Sequence, residues 1–535
     1  MARIRFFPII LLLIIHVAFL FPLFQPGLYQ SHDGEALVAR FAAYYKAFAA
    51  KEFPPRWAGD LNFRYGSPVF NFYYPLPGYM ASFLHIVNIS FQDTYKILIG
   101  LAFIAAPVGS YLWLRHRVNK ESAFVGALLY GLAPYHFLDL YVRGDIGELF
   151  ALVLLPLVLF AIDKGYVIAG GIVYGLLILS HNGLSLMFTP ILLGYGLLFA
   201  KNKIERFNSI ISLTIGLSLS AFFWIPALID LRYTLGSTFI GQMYKEHFPT
   251  LLQLIYSPWG FGPDVRKTGG LSPQVGPLLT TLTLGGLAVF LLHKKKNHHV
   301  LFWLTVLTVS VYISLPISTP LWTRLPFLPS LQFPWRFSAL TTFAAVAIAT
   351  QGLYVLNNRM VFMVIAITAT IFATQMIKIS SYVNHPDAYY LNYPGTTNYH
   401  SETTTIWSAG DPSTYPKQPV EIISGEGKIT NYTRSTIRHT FITKALSSVR
   451  ILDNTFYYPG WRVQIDSNTI PIQFQDPNHR GLITFAVPEG THEVRVQFGE
   501  TPLRKITDAI SIGTIILLGF FWFFRNKLGK LSLIV

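Results

Sequence analysis

The chain has 535 residues, of which 52% are hydrophobic and 13% are charged, and its mean hydropathy is +0.44. Soluble domains carry about 25% charged residues, so this composition excludes an ordinary soluble protein and indicates a polytopic membrane protein. The absence of cysteine excludes disulfides, thiolate metal sites and a cysteine nucleophile. The net charge of +15 makes the placement of the basic residues the next question.

The first element is an apolar run of about 20 residues behind a basic N-terminus, without a small-residue cleavage site, which predicts a retained first helix. Runs of similar length recur and predict about twelve spanning helices in all. The predicted spans are 6–25, 95–114, 122–137, 148–163, 165–180, 183–200, 208–226, 276–293, 299–315, 337–355, 359–377 and 506–524. The run at 77–90 is too short to cross and predicts a half-inserted juxtamembrane helix.

The distribution of Lys and Arg predicts the orientation of these helices. The N-terminus and the loops RHRVNK, DK, KNKIER, HKKKNHH, NNR and RNKLGK together hold 16 Lys or Arg against the three acids Glu121, Asp163 and Glu205, and they all fall on one side of the membrane. We therefore expect a multi-pass protein of the plasma membrane with both termini in the cytoplasm. The stretches 26–94, 138–147, 227–275, 316–336 and 378–505 then face outward. The positive charge is a topology signal, and we expect no nucleic-acid partner.

The first outer stretch opens with SHDGE, which places two carboxylates, Asp33 and Glu35, two residues apart. On an extended segment they would point the same way and could act as a base or hold a divalent metal such as Mg²⁺ or Mn²⁺. The alternative is helix capping, since Ser31 and Asp33 precede the amphipathic segment EALVARFAAYYKAFAA. The loop that follows, RYGSPVFNFYYPLP, has an irregular backbone of a kind tolerated near lipid where it lines a cavity.

Further polar clusters lie at the outer ends of later helices. The loop PYHFLDLYVRGDIGELF carries Arg143, which could clamp a phosphate, and Glu148, which is costly in apolar sequence unless paired. An Arg143–Glu148 structural ion pair is the alternative. LILSHNGLSLMF brings His181 and Asn182 to the same face, and QFPWRF brings Trp335 and Arg336, a pair typical either of interfacial anchoring or of an anionic headgroup site.

Two longer outer segments follow different patterns. The loop 227–275 is rich in Gly and Pro and could close over a site. Residues 378–505 alternate with a period of two in VEIIS, HTFITKA, WRVQID, LITFAV and HEVRVQF, which predicts an extracytoplasmic all-β sandwich. That domain would serve as a lid or scaffold, or would bind an acceptor glycan.

The stretch SHDGEALVARFAAYYKAFAAKEFPPRWAGDLNFRYGSPVFNFYYPLPGY resembles the N-terminal signature of the bacterial and archaeal membrane-protein family labelled 6-pyruvoyl-tetrahydropterin synthase-related. YVRGDIGE, SHNG, QFPWRF and NTFYYPGWRVQIDSNTIPI are similar to YfhO-type proteins. The resemblance implies the GT-C architecture of polytopic glycosyltransferases, which use polyprenyl-phosphate-linked sugars and in some cases a divalent metal. The implied organisation is a GT-C-like transmembrane domain at 1–377, with 26–94 as its first outer loop. A β-sandwich domain at 378–505 and a last transmembrane helix with a cytoplasmic tail at 506–535 follow.

The resemblance also implies roles for individual residues. Asp33 would be the catalytic base and Glu35 its helper or a metal ligand. Arg143 would bind the phosphate of the donor, with Arg56 and Arg336 as alternatives. The expected substrate-binding residues are His32, Trp57, Tyr74, Glu148, His181, Asn182 and Trp335.

The sequence therefore predicts an integral-membrane glycosyltransferase that moves a sugar from a polyprenyl-phosphate donor to an extracytoplasmic glycan, lipid or protein. The alternative is a non-catalytic membrane carrier or scaffold for lipid-linked glycans, in which the acids serve as caps.

Overall fold

The structure is a computed structural model and describes residues 6–292 and 297–524. The predicted cytoplasmic ends, residues 1–5 and the tail from 525, and the basic loop 293–296 lie outside the described residues. The helices are α1 Phe7–Ala18, α2 Gly34–Ala49, α3 Leu76–Ile86, α4 Phe91–Arg117, α5 Lys120–Gly131, α6 Pro134–Phe137, α7 Ile146–Lys164, α8 Val167–Ser180, α9 Asn182–Phe199, α10 Lys203–Leu219, α11 Ala221–Ile229, α12 Gly236–Met243, α13 Leu251–Ile255, α14 Pro277–Leu292, α15 His298–Ser314, α16 Thr319–Arg324, α17 Ser338–Leu356, α18 Arg359–Thr374, α19 Asp387–Leu391 and α20 Pro502–Phe524.

Every predicted span coincides with a helix or with a bent pair of helices. Within the described residues, five helical stretches are long and apolar enough to cross a membrane, and the number rises to eight if each of three bent pairs counts as one span. The helices α1, α8, α14 and α18 are apolar but shorter than 18 residues. The segment expected to be half-inserted forms α3, which has 11 residues. The protein is thus mostly helical with candidate spans, and twelve crossings remains a prediction.

Small residues let neighbouring helices approach closely. A Cβ atom at Gly216 on α10 would lie 2.7 Å from the carbonyl oxygen of Gly171 on α8, so only glycine fits at this crossing. Close approach through small residues is the usual way in which helices associate in lipid.

The end of α5 that the sequence predicts to face outward leads into a break that positions several candidate site residues. After α5 the chain bends by 40° into α6 and a π-helical turn, Leu138–Arg143, before Gly144 adopts a left-handed conformation (φ 71°) and α7 begins. π-helical turns occur mostly at functional sites because they displace side chains from the regular helical face. Here the turn carries Asp139 and Arg143.

The C-terminal region forms the predicted β-sheets. The strands are β1 Leu28–Tyr29, β2 Tyr382–Val383, β3 Val420–Ser424, β4 Gly427–Arg434, β5 Arg438–Ala445, β6 Val449–Phe456, β7 Trp461–Ile465, β8 Asn468–Ile470, β9 Leu482–Val487 and β10 Gly490–Phe498. Strands β4-β5-β10-β7-β8 form one antiparallel sheet and β3-β6-β9 a second. Side chains of both sheets share one apolar core, as in a sandwich.

The first outer loop is packed into that core. Trp57 is fully buried and its ring lies 5.5 Å from Trp461 and 5.6 Å from Phe498. The pair β1–β2 adds a second connection, since it joins the loop after α1 to the segment that follows α18. The sheet region is therefore held directly against the first outer loop.

Candidate functional site

Two outer loops that are far apart in sequence are joined through their backbones. The amide of His32 donates to the carbonyl of Val142 at 2.9 Å, and the amide of Asp33 donates to the carbonyl of Arg143 at 2.8 Å. Gly144 permits the contact, because a Cβ there would lie 2.3 Å from Ser31 Oγ. The junction fixes the start of α2 against the start of α7.

The carboxylate of Asp33 is available for chemistry. Asp33 occupies the N-cap position of α2 but makes no side-chain cap bond, whereas Ser31 Oγ accepts from the amide of Gly34 at 3.1 Å. Among the described residues, no hydrogen bond or ion pair engages the Asp33 carboxylate. Ser31 thus performs the capping that the alternative interpretation assigned to the acid.

The exposed surface around Asp33, bordered by His32, Arg143 and Asp145, is called the recess below. Asp33 is exposed to solvent, yet the surrounding protein raises the pKa of its carboxyl, chiefly by desolvation and then through the negative charge of Asp145. A raised carboxyl pKa is suited to a general base because it increases proton affinity toward neutral pH.

Beside this recess lies a buried cluster of five charged side chains. Arg143 contacts Asp139 at 2.7 Å, Asp145 at 2.8 Å and Glu148 at 2.8 Å, and Arg336 Nε contacts Glu148 Oε1 at 2.6 Å. All five side chains are no more than 6% exposed. Buried charges persist only when they are paired in this way. The Arg143–Glu148 ion pair considered from the sequence is present, within a larger network.

Aromatic side chains connect the cluster to the recess. The Tyr74 hydroxyl donates to Asp145 Oδ1 at 3.0 Å, and its ring lies 5.2 Å from that of His181. Trp335, which is buried and not at a lipid-exposed surface, lies beneath the guanidinium of Arg143 at 4.9 Å. Tyr74, His181 and Trp335, which the sequence suggested as substrate-binding residues, thus lie close to Arg143; that role remains a prediction.

His181 and Asn182 mark the break between α8 and α9. His181 Nδ1 accepts the amide of Leu184 at 3.0 Å and so caps α9. Asn182 Nδ2 donates to the carbonyl of Phe72 at 2.8 Å, which ties α9 to the first outer loop.

Asp145, Glu148 and His181 are a group that could hold a metal ion, since their ligand atoms lie within 4.8 Å of one another. In the arrangement observed, however, these atoms are engaged. Because His181 Nδ1 accepts a backbone N–H, the proton of a neutral imidazole resides on Nε2, the atom that faces Asp145 at 3.8 Å and Glu148 at 3.7 Å. Both Glu148 oxygens are bonded, one to arginine and one to the Tyr135 hydroxyl at 2.5 Å. The group does not fit a resident divalent ion without losing these bonds.

Three predicted site residues point elsewhere. Arg56 is bound to Glu500 at 3.0 Å and to Asp508 at 2.7 Å, beside α20. Trp57 belongs to the core of the sheet region. Glu35 Oε1 accepts from the Tyr389 hydroxyl at 3.0 Å, so Glu35 contacts α19. The group of side chains in the described residues that could hold a metal ion does not include Glu35.

The long outer loop reaches the recess through His32. His32 Nε2 lies 2.6 Å from the carbonyl oxygen of Phe261, and the two rings meet edge to face at 5.1 Å. The loop 227–275 therefore contacts the residue next to Asp33, in the position expected of a segment that closes over a site.

Sequence reasoning missed several side chains that adjoin the recess. Arg40 lies seven residues after Asp33 on α2, a helical spacing that could have indicated a shared face. Its guanidinium lies 3.5 Å from the ring centre of Tyr73, whose hydroxyl donates to Glu402. Burial raises the pKa of Glu402. Glu402 is in the connection between α19 and β3, and no sequence pattern indicates its contact with the first outer loop.

A family model described as 6-pyruvoyl-tetrahydropterin synthase related domain, membrane protein, matches residues 70–383. Asp33 and Arg40 precede the matched range, and Glu402 and the sheets follow it. A search of curated proteins found no match.

Three solved structures resemble this fold at a distance. Arabinofuranosyltransferase AftD from Mycobacteria is 14% identical with a TM-score of 0.46, over 70% of this chain and 27% of its own. The oligosaccharyltransferase of Archaeoglobus fulgidus is 14% identical with a TM-score of 0.47, over 78% of this chain and 62% of its own. ArnT from Cupriavidus metallidurans, bound to undecaprenyl phosphate, is 12% identical with a TM-score of 0.30, over 66% of this chain and 78% of its own. This chain thus spans about a quarter of the mycobacterial protein, and at these scores the likenesses carry no argument about function.

Proposed function

This chain belongs to the 6-pyruvoyl-tetrahydropterin synthase related family of membrane proteins, and from that premise we propose that it is an integral-membrane glycosyltransferase. It moves a sugar from a polyprenyl-phosphate donor in the membrane to an extracytoplasmic glycan, lipid or protein. Asp33 is the general base of this reaction. The site faces outward, in the orientation that the positive charges predict.

The observation that carries the proposal is the state of the Asp33 carboxylate. It lies in a recess, free of any capping bond or ion pair with the described residues, while the other carboxylates beside it, Asp145 and Glu148, are fully engaged. A helix cap or a structural ion pair would consume that carboxylate. An unengaged acid with a raised pKa, held in place by its own backbone bond to Arg143, is suited to proton transfer instead.

The reaction balances without a nucleotide or a further co-reactant. Asp33 takes the proton from an acceptor hydroxyl, and the acceptor oxygen forms a bond to the anomeric carbon of the sugar. The bond between that carbon and the donor phosphate breaks, and the phosphate oxygen departs with the electron pair. Attack from the face opposite the leaving group inverts the anomeric configuration. No step is routed through a metal ion.

The buried charge cluster acts as a rigid support for this base. Arg143 binds three carboxylates, and its carbonyl accepts the amide of Asp33. Tyr74 extends the support across the recess by its bond to Asp145. Holding a reacting group through packed and hydrogen-bonded neighbours is what precise positioning requires.

The engagement of Arg143, Arg336 and Glu148 with one another is the observation that favours the alternative function, a non-catalytic carrier or scaffold for lipid-linked glycans. A scaffold needs a stable outer face but has no use for an unpaired base. The two functions therefore differ in what they require of Asp33.

The envelope glycans of the native host provide a test that works whichever sugar is transferred. We would delete the gene, complement with the wild type, Asp33→Asn or Asp93→Asn, and measure the glycans by mass spectrometry. Asp93 is an exposed acid of the same outer loop whose carboxylate is paired with Lys96, so Asp93→Asn is the matched control.

We expect deletion and Asp33→Asn to remove the same glycan species, with Asp93→Asn restoring it. General-base removal lowers rates by about 10² to 10⁴. Because the Asp33 side chain makes no stabilising bond, Asp33→Asn protein should reach wild-type levels in the membrane. Full restoration of the glycan by Asp33→Asn would favour the scaffold.

A further inference from the structure

The buried arginines of the outer face differ in how their charge is compensated. Arg143 and Arg336 bind carboxylates of the cluster, Arg56 binds Glu500 and Asp508, and Arg504 binds Asp230 at 2.9 Å. Arg40 is 6% exposed, and no carboxylate of the described residues lies within 4.0 Å of its guanidinium. The charge of Glu402 acts on this guanidinium without a direct ion pair. A buried cation without a direct ion pair is costly, so an anion from outside the chain would stabilise it.

The polar atoms around Arg40 are also incompletely bonded. Arg40 Nη2 donates to the carbonyl of Thr397, which places these two residues side by side. Arg40 Nε and Thr397 Oγ1 are both buried and have no hydrogen-bond partner. The Tyr44 hydroxyl, one helical turn further along α2, is likewise buried without a partner. Buried polar groups are ordinarily satisfied, and the unpartnered Nε of Arg40 beside the unpartnered hydroxyl of Thr397 is suited to an anion.

The rest of the pocket keeps Arg40 in place. Its guanidinium stacks over Tyr73 at 3.5 Å, a contact that fixes the plane of the fork. Glu402 accepts from the Tyr73 hydroxyl on the other side of this side chain. Glu402 is thus hydrogen-bonded to tyrosine and makes no direct ion pair with Arg40, although its charge acts on the guanidinium.

The spacing along α2 relates Arg40 to the proposed base. Seven residues are about two helical turns, or roughly 10 Å along the axis, and place both residues on one side of the helix. Side chains of a helix lean toward its N-terminus, so the long Arg40 side chain extends back toward Asp33. The positive charge of Arg40 is close enough to Asp33 to lower the pKa of its carboxyl, against the larger effect of desolvation.

We propose that Arg40 and Thr397 form the subsite that binds the phosphate group of the lipid-linked donor. A guanidinium offers parallel N–H donors that match phosphate oxygens, and the threonine hydroxyl adds a further donor. The phosphate in turn supplies the direct ion pair that Arg40 lacks among the described residues. The inference rests on the proposed function for the identity of the lipid. It replaces Arg143, Arg56 and Arg336, which the sequence suggested, as the phosphate ligand.

Binding by the full chain in nanodiscs of neutral lipid tests the subsite independently of turnover. The probes are a polyprenyl phosphate, the matching polyprenyl alcohol, inorganic phosphate and phosphatidylglycerol. The variants are Arg40→Gln, Arg40→Lys and Thr397→Val. Lys46→Gln is the control, since Lys46 is a cation of the same helix that also donates to a carbonyl of the α19 segment, that of Leu391, and is paired with Asp60.

We expect Arg40→Gln to weaken polyprenyl phosphate binding at least tenfold and Thr397→Val severalfold, with alcohol binding unchanged. Arg40→Lys should recover part of the loss, because it keeps the charge but not the fork. Lys46→Gln should bind within twofold of wild type. Competition by inorganic phosphate would support a subsite for the phosphate group itself, whereas competition by phosphatidylglycerol alone would overturn it in favour of a general anionic-lipid surface.

Equal binding of the phosphate and the alcohol by the wild type would overturn the proposal, as would unchanged binding by folded Arg40→Gln. If Arg40→Gln does not fold, Thr397→Val decides, because valine keeps the shape of threonine and removes only the hydroxyl. The Asp33→Asn glycan profile tests the proposed transfer reaction and does not depend on these affinities. A failure of that reaction can therefore be distinguished from a failure of the phosphate subsite.

Discussion

The amide of Asp33 donates to the carbonyl of Arg143 at 2.8 Å. This backbone bond fixes Asp33, whose carboxylate is unengaged, to the arginine of the second outer loop that pairs with three carboxylates. Arg143 is held in turn by three carboxylates within 2.8 Å. The geometry of the proposed base is therefore set by a buried network that does not contact its reactive oxygens.

The acidic limb of the activity profile should depend on Asp145. A base must be deprotonated to act, and desolvation together with the charge of Asp145 raises the pKa of Asp33, so activity should fall as pH drops through that raised value. Asp145→Asn removes the like charge, leaves the nearby Arg143 less compensated, and keeps the N-cap of α7. Both electrostatic changes favour the ionised form, so the limb should move to lower pH. The measurement is glycan transfer in native membranes across pH, and an unmoved limb would count against Asp33 as the titrating base.

Glu148→Gln should destabilise the transmembrane domain. It removes a charge that two buried arginines contact, Arg143 at 2.8 Å and Arg336 at 2.6 Å, and breaking a buried pair costs on the order of 3 kcal/mol or more. Glu493→Gln is the control, because Glu493 is 64% exposed in its contact with Arg495, and such pairs contribute less than about 1 kcal/mol. Thermal unfolding in detergent should separate the two variants. Equal unfolding temperatures would show that the cluster does not stabilise the fold.

Trp57→Ala should loosen the sheet region from the first outer loop. Trp57 is fully buried among Tyr458, Trp461 and Phe498, and truncating a buried tryptophan costs about 3 to 5 kcal/mol. Leu446→Ala, at a side chain that is 75% exposed in the turn after β5, should change stability by less than about 0.5 kcal/mol. Limited proteolysis should cleave the Trp57→Ala variant faster within residues 378–419, and equal rates would contradict the anchoring role.

Glu52 should make the stability of this interface depend on pH. Burial raises the pKa of Glu52 from 4.5 to about 7, and Thr436 of the sheet region donates a hydrogen bond to it. The folded state therefore holds a proton that the unfolded chain releases near pH 4.5. The stabilisation is fully present below pH 4.5 and is lost as pH rises to about 7. The unfolding temperature of the wild type should fall across this window more than that of Glu52→Gln, and parallel curves would exclude Glu52 as the cause.

The sequence alone determined the membrane class and the approximate positions of the apolar helices in the described residues. It could do so because a hydrophobic run is a local property of the chain. It also located the strands VEIIS, HTFITKA, WRVQID, LITFAV and HEVRVQF, since alternation is a local pattern. It missed β4, β6 and β8, where the alternation is interrupted or the strand is short.

The sequence also placed Asp33, Arg143, Glu148, His181 and Trp335 on one predicted outer face, and the structure brings these residues near one another. It could not decide which of them are engaged. Ser31 rather than Asp33 accepts the capping bond of α2, and Arg143, Arg336 and Arg56 are bound to carboxylates distant in the chain. Only the tertiary structure reveals that Arg40 lacks a carboxylate partner within 4.0 Å among the described residues and lies against Thr397. The physical reason is that composition sets where a charged side chain lies relative to the membrane, whereas its pairing depends on long-range contacts that no local pattern encodes.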